Sequence, residues 1–442
     1  MPQRDERWLL RLPELDGNGW RLMAAKAFRS FGFGLNAVVL GLYLAAAGLG
    51  PVSIGIVLSA ALAGTMILTL LVALWGDRIG RRRLLVVGSA LMLLAGLIPL
   101  AGADPILLVA IALTGMVAVN NNESIGIQTI DQAVLPQSVP NAERTAAFAM
   151  YNLIASAAGA AGALCIGPLV GAGEWLGLEG TARYAPAFAA YGLCGLASAG
   201  CALGLDRRAE LGTPVQRRFA LHRSRGTVAA LSGLFAIDSV ATGFIVHSYL
   251  ALWFVSRFDA SDASVGVMFA LGNLLAALSF PVAAWLAARI GLIRTMVFTH
   301  IPANLCLVGM AIAPALGPAM ALFFVRSALS SMDVPARQSY TMAVVDPDER
   351  TATAGVTNLA RGGAQMLGPG IAGSLLVPLG MGVPLVAGGL VKVVYDVALF
   401  ALFKGRATPE EEGLRPGAQL TGPEPAPPPP ARSDRRPRSS RR

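Results

Sequence analysis

Long apolar runs joined by short polar links make up most of this chain. Runs of about twenty residues cross roughly 30 Å of hydrocarbon at a helical rise of about 1.5 Å per residue. Such runs fall near 23–48, 52–74, 84–102, 106–128, 145–170, 184–204, 227–254, 263–287, 295–314, 318–340, 352–377 and 383–403. The pattern predicts an all-α membrane protein of about twelve transmembrane helices. Cations sort by link. Arg78, Arg81, Arg82 and Arg83 follow the second run, Arg207, Arg208, Arg217, Arg218, Arg223 and Arg225 lie around the link after the sixth, and Arg289 and Arg294 follow the eighth. Links such as 48–51, 103–105 and 314–318 are nearly free of Lys and Arg. Lys and Arg near span ends are retained on the cytoplasmic side, so both termini are expected there.

Composition excludes a soluble reading. Of 442 residues, 55% are hydrophobic and 14% charged, against about 25% charged in soluble domains. Such a chain has too little polar surface to cover itself, and lipid is its expected solvent. The 50 glycines suit close packing of membrane helices. The formal charge of +9 sits in links and tail, which points to lipid head groups and topology rather than nucleic acid. Cys165, Cys194, Cys201 and Cys306 all lie in apolar runs without metal or disulfide spacing, and are read as small buried hydrophobes. The first apolar run is too long for a signal-peptide core and reads as a span. There is no phosphate-cradling Gly-rich loop with Lys and Ser or Thr, no His-Glu-x-x-His and no evident nucleophile–base pair. Neither an enzyme nor a cofactor or metal is expected.

The chain divides into two similar sets. Glu143-Arg144-Thr145-Ala146 and Asn152-Leu153 recur 206 residues later as Glu349-Arg350-Thr351-Ala352 and Asn358-Leu359. Gln132 meets Gln338 and Gly162 meets Gly368 at the same offset. The expected organisation is a six-helix bundle over 1–205, a basic cytoplasmic linker over 206–226, a second six-helix bundle over 227–404, and a disordered Pro/Arg-rich tail over 405–442.

Between the second and third runs stands Gly76-Asp77-Arg78-Ile79-Gly80-Arg81-Arg82-Arg83. It resembles the signature loop of the major facilitator superfamily, roughly Gly-x-x-x-Asp-Arg-x-Gly-Arg-Arg, with Ala73 in place of the leading Gly. The second half repeats it weakly, as Leu286-Ala287-Ala288-Arg289-Ile290-Gly291, where Ala288 replaces the acid. Asp238, with Ala236, Ile237 and Ser239, the stretch Met296 to Pro302, and Met332 to Val345 resemble a widespread group of bacterial permeases of that superfamily. Gly167-Pro168-Leu169-Val170-Gly171 is similar to the Gly-Pro motif of its proton-driven exporters, with Ala163 and Ala172 replacing two glycines. The resemblance implies two six-helix bundles around a central cavity and alternating access. It also implies a bacterial inner-membrane location, a small-molecule substrate, protons as the coupling ion, and a monomer. It places Asp77 and Arg81 in a cytoplasmic gate, to which Arg78, Gly80, Asp131 and Arg337 are added as neighbours at the same end. Export of a small organic solute is the expected function, with uptake or facilitated diffusion of a polar metabolite the alternative. A membrane sensor or scaffold is more remote.

Charges inside a membrane cost about 2.5–3.5 kcal/mol each on insertion scales, so each calls for a reason. Asp238 lies near the middle of its run, where desolvation favours the protonated form. It heads the proton-coupling candidates, with Asp333 and Glu123. Asp333 and Arg337 are four apart and can pair as a latch. Arg326 lies seven before Asp333, on the same face of one helix interrupted at Pro335. Asn120-Asn121-Asn122-Glu123 cannot all face lipid and mark a wet or packed helix side. Substrate-cavity candidates are Asn36, Asn122, His247, Asn273, His300, Arg326 and Arg361, with Asn304 and Gln365 as further polar lining. Arg29 is expected to snorkel to the cytoplasmic interface, and Lys392 and Asp396, four apart, to neutralise each other.

Overall fold

The computed structural model describes residues 14–98, 102, 104–120, 125–140, 143–206, 222–346 and 349–404. Among these, helix is the dominant secondary structure and no strand occurs. Asn121, Asn122 and Glu123, most of the 206–226 linker and the 405–442 tail lie outside the described residues, and so does the side chain of Asp77.

The N-terminal half holds α1 (Gly17–Ala46), α2 (Pro51–Ile79), α3 (Arg81–Ala95), α4 (Pro105–Ala112), α5 (Ile125–Val134), α6 (Arg144–Leu164), α7 (Ile166–Trp175) and α8 (Ala185–Leu203). The C-terminal half holds α9 (Arg225–Phe244), α10 (His247–Phe258), α11 (Asp262–Ile290), α12 (Leu292–Ala311), α13 (Leu316–Ser330), α14 (Asp333–Ala343), α15 (Arg350–Gln365), α16 (Gly368–Ile371) and α17 (Val383–Phe403). Local signals start several of them. Asp16 caps α1 by accepting the Gly19 amide at 2.8 Å. Asp104 caps α4, and Pro105 fills its first position, where no amide is needed.

Eight helical stretches among the described residues are long and apolar enough to cross a bilayer. The four other expected runs are shortened, interrupted or charge-rich. α3 keeps 15 helical residues. The fourth run unwinds over 113–120, after α4, and the eleventh breaks after Gln365 and ends in a π and a 3-10 turn. The tenth breaks at Ser331 and Met332, not at Pro335. Pro335 is the third residue of α14, where the missing amide is one of the four that a helix leaves unpaired. Arg326 therefore sits on a different helix from Asp333 and Arg337, and the single shared face does not form.

α1 is the axis of the first half, packed against α6, α8 and α10. It approaches α6 so closely that a Cβ on Gly34 or Gly162 would lie less than 3.0 Å from the backbone of Gly159 or Phe31. In the second half α12 packs on α17 and α9 on α15. Both halves turn on a glycine with positive φ, Gly80 at 95° between α2 and α3 and Gly291 at 90° between α11 and α12. The turn geometry is thus repeated although Ala288 replaces the acid, because glycine alone adopts this backbone at little cost.

The Glu-Arg-Thr-Ala repeat has a structural reason. The Glu143 carboxylate accepts the backbone amide of Glu14 at 2.7 Å, just before α1. Its counterpart Glu349 accepts the amides of His222, Arg223 (2.8 Å) and Ser224 (2.9 Å), just before α9. Each half therefore uses the same carboxylate to hold the entry of its first helix. Hydrogen bonds from the Ser224 residue and the His222 amide hold the Glu349 carboxyl down at about 2.

Candidate functional site

A buried network of charges fills the C-terminal half. Lys392 on α17 donates to Asp238 on α9 at 2.6 Å and to the Thr242 hydroxyl at 2.7 Å. Arg337 donates to Asp333 at 2.6 Å within α14. Arg361 on α15 reaches the Ser239 hydroxyl at 3.4 Å and feels the charges of Arg337, Asp238 and Asp333. His300 on α12 meets both oxygens of Asp396 on α17 at 2.9 and 3.1 Å, and Asn304 donates to the same carboxylate at 3.1 Å. Asp238, Asp333, Arg337, His300, Lys392 and Asp396 are all at most 6% exposed. At that depth every unpaired charge is expensive.

The structure differs from three expectations. Lys392 and Asp396 do not neutralise each other. Lys392 turns to Asp238 and Asp396 to His300, because helices α9 and α12 present partners on two sides of α17. Arg29 does not snorkel. It is 1% exposed, pairs with Asp131 and donates to Ser198 at 3.2 Å. Tyr151 donates to the same Asp131 carboxylate at 2.8 Å. Asp131 is fully buried, so this gate candidate is an internal counter-ion rather than an interfacial latch. The predicted Asp333–Arg337 pair forms.

A second polar group sits where helices break. After α4 the chain runs unwound through 113–120, with Gly115 at φ 78°. Its freed carbonyls are met by side chains. Thr65 donates to Gly115 at 3.3 Å, Tyr191 to Met116, and Asn36 to Ala118 at 3.0 Å. The break between α9 and α10 supplies the rest. The Ser248 amide donates to the Val119 carbonyl at 3.2 Å, and the His247 amide to the Asn120 side chain at 3.1 Å. Non-helical backbone is tolerated at membrane depth only when its groups are paired like this or face water. The His247 ring packs edge-on against Phe269 at 5.1 Å, and Arg326 is close enough to act on it electrostatically. Arg326, His247 and Asn120 are all half-buried, as expected of groups lining an internal space. Asn273 and Gln365 are half-buried too. At the signature loop, Arg78 lies exposed in the last turn of α2, and Gly80 precedes α3, whose first residue is Arg81.

The two halves meet most closely at the end that carries the link between α1 and α2. A Cβ on Gly41 would fall within 3.0 Å of the Ser248 carbonyl, and Ser248 itself donates to Ala37 at 2.7 Å. Gly55 and Gly373 face Pro369 and Pro51 equally closely, and Ser59 accepts the Gly370 amide at 2.8 Å. Gly167 abuts Ala263, directly before Pro168 in the first turn of α7. Arg183 pairs with Asp262 at 3.5 Å. A cavity of about 190 Å3 remains in this seam, lined by Leu49, Leu58, Phe244, Tyr249, Met381 and others, with no charged side chain.

The all-helical fold with membrane-length spans agrees with what the signature loop implies. The family model of the Major Facilitator Superfamily matches residues 22–369. The chain belongs to the Major Facilitator Superfamily. Solved transporters of similar fold include the nucleoside transporter NupG, with a TM-score of 0.67 and 15% identity, covering 88% of this chain and 99% of that one. A POT family transporter in complex with 5-aminolevulinic acid superposes with a TM-score of 0.68 at 13% identity, covering 90% and 99%. A bacterial homologue of the human lysosomal transporter Spinster, inward-facing and unoccupied, gives 0.65 at 15%, covering 89% and 99%. A curated relative, the uncharacterized membrane protein YJR124C of Saccharomyces cerevisiae, is 26% identical over 419 residues, covering 87% of this chain and 93% of the relative. This facilitator-superfamily protein is therefore a multi-pass membrane protein with a transporter fold. Reading the sequence did not find the His300–Asp396–Asn304 group or the Lys392–Asp238 pair. The signal available was weak, since each pair joins residues of different helices.

Proposed function

We propose that this facilitator-superfamily protein is a secondary active transporter that exports a small organic solute in exchange for protons. The observation that carries the reading is the seam. Two half-bundles touch through glycine backbones at one end, while ionisable groups lie buried deeper inside. Rocking one half against the other would part that seam and close the opposite end. With both termini cytoplasmic in a bacterial inner membrane, as the link cations suggest, the sealed end faces outward and the conformation is inward-facing. Asp77, Arg78, Gly80 and Arg81 then sit at the end that must close in the other state, and the protein works as a monomer.

The solute space lies beside Arg326, His247 and Asn120, bordered by Asn36 and Asn273; the candidates Asn122 and Glu123 fall outside the described residues. A guanidinium with amides favours a polar solute carrying an anionic group. The close packing of Gly167, next to Pro168, against Ala263 of α11 supports export. The similar folds of a nucleoside transporter and of a transporter in complex with 5-aminolevulinic acid keep uptake of a polar metabolite as the second reading. The test is accumulation of a labelled panel of drugs and metabolites in cells with and without the chain, before and after a proton uncoupler. Export predicts a compound kept low only with the chain and only while the gradient lasts. Raised accumulation would reverse the direction.

A further inference from the structure

Among the acids of the C-terminal network, Asp238 and Asp333 each have a dedicated permanent cation, Lys392 and Arg337, at 2.6 Å. Protonating either acid would strand a buried ammonium or guanidinium without its counter-ion, which is strongly unfavourable. Asp396 differs. Its partners are His300 and Asn304, and Lys392, on the same helix four residues earlier, is directed to Asp238. With His300 neutral, the three cations Lys392, Arg337 and Arg361 balance the three anions Asp238, Asp333 and Asp396. One added proton makes the network +1 without breaking a permanent ion pair.

We infer that the His300–Asp396 pair, held by Asn304, is the exchangeable proton site of this half, and that Asp238 is a fixed counter-ion. The inference rests on the proton-coupled reading above and gives it a location. An ionised Asp396 can only accept, so with His300 neutral the ring proton belongs on Nδ1. The Asn304 amide, 3.3 Å from that nitrogen, donates to the carboxylate instead, and Nε2 is left as the base that takes the proton. The imidazolium so formed keeps Asp396 as its counter-charge. The charge facing the pair from α9 is Asp238, which in turn feels Arg337 on α14, itself paired with Asp333, and Arg361 on α15. Lys392 and Tyr395 lie on α17 itself, with the Tyr395 ring edge-on to His300 at 6.2 Å. On α13 the nearest charge is Arg326, beside Cys306 of α12. Proton binding at His300 thus adds positive charge directly beside the Lys392–Asp238 pair that ties α17 to α9. Motion of α12 and α17 relative to α9 is the expected response.

The chain holds three histidines, His222, His247 and His300, so the site can be followed directly. The full-length protein, purified in detergent with 13C and 15N labels in histidine, is titrated by NMR, with His222→Gln and His247→Gln assigning the signals. Protonation of the ring should appear as a single pH-dependent change of the His300 signal. Asp396→Asn should move that change to lower pH, the usual effect of removing an opposite charge in contact. If Asp396→Asn does not fold, His300→Gln should bind one proton fewer per chain than the parent over the pH range of that change, read with an indicator dye. A His300 signal that stays flat from pH 5 to pH 9, a midpoint unmoved by Asp396→Asn, or proton uptake unchanged in His300→Gln would overturn the assignment. Solute accumulation that ignores an uncoupler would remove proton-driven transport yet leave the His300 titration standing. Uncoupler-sensitive transport with a flat His300 signal would keep the function and move the proton elsewhere.

Discussion

Gly41→Ala tests the seam as a gate. The added methyl would lie less than 3.0 Å from the Ser248 carbonyl, and ordinary contact begins at 3.4 Å. The obstacle is backbone, which cannot rotate away as a side chain can, so α1 and α10 must part. Overpacking of this kind costs about 1–3 kcal/mol. In the proposed rocking motion α1 and α10 part in the opposite state, so the penalty is expected to fall on the sealed state alone. Its population relative to the other state should drop about 5- to 150-fold. Leu58 lines the seam cavity and is 1% exposed. In a background with Cys165, Cys194, Cys201 and Cys306 replaced by Ala, the alkylation rate of Leu58→Cys by a small maleimide reports opening. Gly41→Ala should raise that rate at least fivefold, and Gly233→Ala, whose methyl meets nothing within 4 Å, should not. Equal rates in the two folded variants would refute the seam as a moving contact.

Three other outcomes follow from the same geometry. Lys392→Met should lower thermal stability by about 3–5 kcal/mol because it strands Asp238, and adding Asp238→Asn should restore most of the loss; no recovery in the double variant, measured in detergent, would mean that the pair is not the source. Glu349→Gln should lower the melting temperature at neutral pH. The Glu349 carboxyl is held at about 2, below its unfolded value of about 4.3. Its contribution is therefore present above the unfolded value and lost as pH falls toward 2, and the parent and variant should converge over that window. Arg326→Gln should weaken transport of an anionic solute at least tenfold, from the loss of a charge-assisted bond of about 1.5–3 kcal/mol, and leave an uncharged analogue nearly unaffected; equal effects on both solutes would argue against Arg326 meeting the anion.

Much of the fold was written in hydrophobic run length, and the family in one octet of charged and glycine residues. Run length does not reveal where a span unwinds, however. The 113–120 stretch is apolar enough to read as helix. Its unwinding depends on Thr65, Tyr191, Asn36 and Ser248, which arrive from other helices to satisfy its carbonyls. Pairing was legible only within a helix. The Asp333–Arg337 latch follows from four-residue spacing, but the same spacing misassigned Lys392 to Asp396, because nothing local says which neighbour lies closer. Arg29 reads as a snorkelling residue until Asp131 is brought beside it across 102 residues of chain. The repeat at an offset of 206 did carry hidden information. It marked Glu143 and Glu349 as equivalent, and both hold the entry of a first helix.

The central claim is that solute movement through this protein is tied to protons. The most direct test places the purified chain in liposomes with a pH dye inside and imposes a gradient of the compound singled out by the accumulation comparison. Exchange predicts that an inward solute gradient drives protons outward, raising internal pH in liposomes with protein and not in those without. Solute entry at full rate with no change in internal pH would contradict the account.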